Sequence, residues 1–177
     1  MIFIKQLAES GVLAILVAFT GWVFVYKNSR SLARQGEVNS ITSSIEKTLQ
    51  EISDENYKFW RDAKGRDEDH EVKCRLFQAY VAFRCNFIEE KILFLSQKCQ
   101  TPWKPDLDHS SFEDKTIDLI ASIRDKSTFD SENPGLVSDK ASRVLQTNAA
   151  AMQLYTCVHD FIKERYNISS QLEKFEW

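Results

Sequence analysis

Residues 7–26, LAESGVLAILVAFTGWVFVY, form an apolar run of 20 residues whose single charge, Glu9, lies close to its start. As a helix rising 1.5 Å per residue, the run spans about 30 Å, the thickness of the hydrocarbon core of a bilayer. Trp22 and Tyr26 lie toward the Lys27 end, where amphipathic rings favour the lipid interface. The run reads as a retained anchor rather than a cleaved signal peptide. Only Lys5 and the amino terminus supply positive charge before it, and it ends in Trp22, Phe24 and Tyr26, where a peptidase needs small residues. Lys27, Arg30 and Arg34 follow the run. The positive-inside rule therefore places residues 1–6 on the extracytoplasmic side, the 7–26 helix across the inner membrane once, and everything after it in the cytosol.

Inside the anchor, Gly11, Ala14, Ala18 and Gly21 are spaced three, four and three apart. Such a stripe of small side chains lets two helix backbones approach closely in lipid, which points to self-association. Gly and Ala are also frequent in membrane helices, and no strict GxxxG is present, so chance accounts for the spacing equally well. No ionisable residue sits at mid-membrane, so one copy offers no ion path and a pore would need several.

The rest of the chain predicts helices. With 5 glycines and 3 prolines in 177 residues, turn residues are too scarce for many tight hairpins. Residues 27–63 read as a juxtamembrane amphipathic helix. Val38, Ile45, Ile52 and Phe59 fall at heptad intervals, and Ile41, Leu49 and Trp60 widen the stripe. This face is either part of a bundle or a docking surface for a partner. Gly36 marks its weak point, as a bend or a close contact.

After a turn around Gly65, residues 68–98 predict a second helix. Val72, Leu76, Tyr80, Phe83, Phe87 and Phe94 lie close to one face, and Phe77, Val81, Ile88, Ile92 and Leu95 widen the apolar arc. So wide an arc predicts a central bundle helix. Arg75, Arg84, Glu89, Glu90 and Lys91 argue against a second membrane span.

Residues 101–109 read as a proline-set loop. Ser110-x-x-Glu113 and Ser111-x-x-Asp114 resemble capping boxes that open a short helix to about residue 126, burying Ile117, Ile120 and Ile123 or nearby positions. A loop with Asn133-Pro134-Gly135 precedes a last helix over 138–166, where Leu145, Met152, Tyr155, Ile162 and Tyr166 follow helical spacing. The expected fold class is all-α: one N-terminal transmembrane helix plus a cytosolic antiparallel bundle of three or four helices, with residues 64–177 completing the bundle.

Chemistry is sparse in this sequence. Cys74, Cys85, Cys99 and Cys157 form no CxxC pair and read as reduced thiols. His70 and Cys74 are four apart, and Asp67-x-x-His70 has carboxylate–histidine spacing, but no matching carboxylate set accompanies them. An acidic helix start suiting the helix dipole accounts for that stretch. Asp106, Asp108 and His109 read as loop polarity. There is no GxSxG, P-loop or GxGxxG, so no catalytic, cofactor or metal residue is assigned. A net charge of −3 gives no support to direct nucleic-acid binding.

The segment SLARQGEVNSITSSIEKTLQEISDENYKFW at 31–60, directly behind the anchor, resembles the juxtamembrane region of small bacterial membrane proteins. Some of these occur in phage-defence cassettes, including retron-type systems with membrane effectors. Those effectors are described with two spans, and this sequence has one. The resemblance contains no catalytic motif. It implies a membrane-anchored effector of antiphage defence, held inactive by a cytosolic protein or ribonucleoprotein partner. Released copies would then self-associate and perturb the inner membrane. The alternative is a non-toxic membrane adaptor that recruits a cytosolic protein.

Overall fold

The computed structural model describes residues 11–63, 69–99 and 109–166. Among them there are helices and no strand: α1 (Val12–Asp62), α2 (His70–Cys99), α3 (His109–Thr128) and α4 (Lys140–Tyr166), with one 3-10 turn at Pro134–Leu136. Two compact units divide the chain, residues 1–39 and residues 40–177.

The first unit holds the amino-terminal part of α1. Gly11 stands just before the helix in the left-handed region, φ 72°, a conformation that glycine adopts without a Cβ penalty. From Val12 to Leu32 the apolar side chains are exposed, except the half-buried Val23, with Phe24 most exposed at 74 %. Among the described residues one helix is long and apolar enough to cross a membrane, and it begins here. The Thr20 hydroxyl donates to the Leu16 carbonyl, 2.5 Å away, and is thereby satisfied within the helix. Trp22 stacks on Tyr26 with centroids 5.6 Å apart, and Arg30 lies over the Tyr26 ring. Aromatic rings followed by a cation suit a headgroup boundary. Gly36 interrupts nothing, because α1 is helical on both sides of it.

In the second unit each helix runs antiparallel to the next. Glu51 of α1 pairs with Arg84 of α2 at 2.9 Å, while Phe59 stacks on Phe77 at 4.1 Å. As α1 advances, its partners on α2 step backward. Ser96 of α2 meets His109 of α3. Phe112 of α3 stacks on Phe161 of α4 at 3.8 Å, and at the other end Asp130 holds Arg143 at 2.7 Å. Helix α4 also lies beside α1: Glu46 bonds His159 at 2.8 Å, and the Lys140 ammonium donates to the Ala63 carbonyl.

The core follows from spacing. On α2, Phe77, Val81, Cys85, Ile88, Ile92, Leu95 and Cys99 recur at three- and four-residue steps and are buried. Ile45, Ile52 and Trp60 of α1, Ile123 of α3 and Leu154 and Val158 of α4 are fully buried with them. Burial of each large aliphatic side chain contributes about 1.5–3 kcal/mol.

Several expectations need correction. The predicted capping serines, Ser110 and Ser111, lie inside α3, which starts at His109. On α3, Ile120 and Ile123 are buried, but Ile117 is 41 % exposed. Helix α4 starts at Lys140, with Asp139 accepting from the Ser142 N–H at 2.9 Å, so the cap is Asp139. Its buried face is Thr147, Ala150, Ala151, Leu154, Cys157, Val158 and Phe161, while Leu145 and Met152 face outward. The expected loop at 101–108, the residues after 166 and the start of the expected membrane run at 7–10 lie outside the described residues.

Candidate functional site

The sequence singled out two groups of residues. Of the small-residue stripe, Ala14, Ala18 and Gly21 lie within α1 and are exposed, while Gly11 precedes the helix. A Cβ added at Gly21 would meet nothing within 4 Å, so this chain itself does not require glycine there. Of the heptad face, Val38, Ile45 and Ile52 are buried, and Phe59 is half-buried against Phe77. That face is packed within the chain.

Helix α2 is apolar on both sides. One side is the core face. The other exposes Val72 at 60 %, Leu76 at 66 %, Phe83 at 63 % and Phe94 at 45 %, with Tyr80 and Phe87 half-buried between them. Cations flank the aromatic rings: Arg84 over Tyr80, Lys91 over Phe87 and Lys98 over Phe94, each ring four residues before its cation. The sequence revealed these residues but not the direction in which they point.

A cleft of about 810 Å³ opens between the end of α1 and the start of α2. Phe59, Leu76 and Phe77 give it an apolar lining, His70 and Tyr80 join them, and Lys58, Lys73, Glu55 and Asp62 supply charge. His70 is 4 % exposed and sits 2.8 Å from the Ser131 carbonyl through Nε2. A carbonyl only accepts, so Nε2 carries the proton and donates. Ser131 is a hub, because its hydroxyl also takes bonds from Cys74 Sγ at 3.2 Å and Gln78 Nε2 at 2.9 Å. His70 and Cys74 thus share Ser131 as a common partner, in a structural arrangement rather than a thiol–imidazole dyad. Asp67 lies outside the described residues. Among the described residues no group of three His, Cys, Asp or Glu side chains is placed to hold a metal ion.

All four cysteines are free and buried. Burial pushes the Cys85 thiol up to about 11 and raises that of Cys157, which keeps both protonated and unreactive near neutral pH.

The His70–Ser131 bond gives a first prediction. Replacing His70 with alanine leaves a buried carbonyl unpaired, at about 1–3 kcal/mol. The thermal midpoint of the detergent-solubilised protein, followed by circular dichroism, is expected to fall by several degrees. An unchanged midpoint would show that the Ser131 hub contributes nothing to stability.

No family model matches this chain, and no curated protein or solved structure matches it either.

Proposed function

We propose that this chain is a single-pass inner-membrane protein whose residues after the anchor form a cytosolic, antiparallel four-helix bundle. The observation that carries this reading is the exposure of the apolar side chains from Val12 to Tyr26 on a helix of spanning length. In water that surface would far exceed the apolar patch a soluble monomer tolerates. The basic flank Lys27, Arg30 and Arg34 supports a cytosolic bundle. The free, buried thiols agree with a reducing compartment. The antiparallel contacts between successive helices, with α4 returning to α1, are those of an up-and-down bundle.

On this reading the protein is a membrane-acting effector. The setting in bacterial antiphage defence rests on the resemblance of residues 31–60. A cytosolic partner holds the bundle inactive, and released copies associate through Ala14, Ala18 and Gly21 and perturb the bilayer. Induction of the protein alone in bacteria is expected to depolarise the inner membrane. Replacing Ala14 and Ala18 with leucine is expected to slow that depolarisation at equal insertion. Depolarisation at full rate in the leucine variant would rule out association through this stripe.

The outward face of α2 favours a second reading, a non-toxic adaptor. Stoichiometric recovery of a cytosolic protein, lost on Phe83→Asp, with membrane potential intact, would select it.

A further inference from the structure

Asn56 is fully buried on α1, and neither its amide nitrogen nor its amide oxygen has a hydrogen-bond partner. One turn later Trp60 is 1 % exposed, and its indole N–H is also unpartnered. The two side chains are four residues apart, so they share one face of the helix. Arg84 Nε on α2 is also buried without a hydrogen bond, but that guanidinium pairs with Glu51 through Nη2, and several other buried polar groups at this end of the helical unit are satisfied. His70 donates to the Ser131 carbonyl, Ser127 to the Ile123 carbonyl and Thr147 to the Arg143 carbonyl. The far end is mainly aliphatic and aromatic, with Ile92, Leu95, Phe112 and Val158 buried.

A buried amide without partners disfavours the closed state, because opening returns its hydrogen bonds to water. A second, independent feature lies on the same stretch. The cleft of about 810 Å³ separates the end of α1 from the start of α2 and is lined by Phe59 and Ala63 on one side and His70 and Phe77 on the other. Asn56 and Trp60 do not line the cleft, but its α1 residues Glu55, Phe59 and Ala63 alternate with them along the same two turns, so α1 and α2 are incompletely packed at the level of the unpaired groups.

We infer that the Asn56–Trp60 turn is a built-in opening point, at which the end of α1 parts from the start of α2 while the aliphatic end stays closed. Local opening of this kind is ordinary where buried contacts are few. The inference rests on packing alone and does not depend on the effector reading.

The test is hydrogen exchange by mass spectrometry on the full chain in detergent micelles, comparing wild type with Asn56→Leu. Leucine has a similar volume and no polar atoms. Amides of residues 52–62 and 70–78 are expected to exchange about tenfold more slowly in the variant, equivalent to about 1.4 kcal/mol. Amides of residues 88–95 and 154–161 are expected to stay unchanged. Trp60→Phe, which deletes the indole N–H and keeps a ring, should slow the same segments about threefold and serves if Asn56→Leu does not fold. Unchanged or faster exchange in the folded variant, as a tightly held water bridging these atoms would produce, overturns the inference. Equal slowing in all four segments overturns it as well.

Discussion

Arginine at both Leu16 and Val17 is expected to remove this protein from the membrane. The two positions are exposed at 56 % and 66 % in the middle of the apolar run of α1. An arginine at the centre of a membrane helix costs about 2.5–3.5 kcal/mol on insertion scales, so two cost about 5–7 kcal/mol. That shifts the insertion equilibrium by on the order of a thousandfold or more. Neither side chain has a core contact to lose, so the second unit keeps its fold. Carbonate extraction of bacterial membranes followed by immunoblotting provides the measurement. Wild type is expected in the membrane pellet, and the double variant in the carbonate-soluble fraction. A Leu16→Ile, Val17→Ile control should remain in the pellet. Retention of the arginine variant in the pellet would mean that the apolar run of α1 does not hold the protein in lipid.

The long apolar N-terminal helix was legible because a spanning-length apolar run is written in consecutive residues. The helices of the second unit were legible for a related reason: apolar steps of three and four identify a helix wherever it packs. The heptad series Val38, Ile45 and Ile52 does lie in the core, joined by Ile41, Leu49 and Trp60. What periodicity cannot provide is the inward direction of a helix that is apolar all round. On α2 two series compete, Val72–Leu76–Phe83–Phe94 and Phe77–Val81–Ile88–Ile92–Leu95, and only packing against the other helices selects the second. Helix starts were misread where capping chemistry was ambiguous. Ser110 and Ser111 fit a capping box, but α3 already includes His109, one residue before Ser110. The Ser131 hub had no sequence signal. It joins a loop residue to His70, Cys74 and Gln78 across more than 50 residues, and only the antiparallel return of α3 beside α2 brings them together. Asn56 was equally silent, since an asparagine near an apolar stripe reads as its polar edge until burial is known.

The choice between the two faces of α2 produces a contrast large enough to measure. Ile88 is fully buried and Phe83, five residues earlier, is 63 % exposed. Ile88→Ala removes three methyl or methylene groups from a packed layer and leaves a cavity, which costs about 2–5 kcal/mol. Against a total stability of about 5–15 kcal/mol for an ordinary domain, that is a large fraction. Phe83→Ala deletes a bigger side chain, but one with little burial. It forfeits mainly the Arg84 guanidinium 5.9 Å from its ring, worth about 0.5–1 kcal/mol at an exposed site. Urea unfolding of the detergent-solubilised protein, followed by far-ultraviolet circular dichroism, should show a strongly lowered midpoint for Ile88→Ala and a nearly unchanged one for Phe83→Ala. The opposite order would mean that α2 is turned by half a revolution and that its aromatic series is the true core. The expected order leaves Phe83 and its neighbours free of any role in holding the fold, so loss of a bound partner in a Phe83 variant of normal stability would report on docking alone.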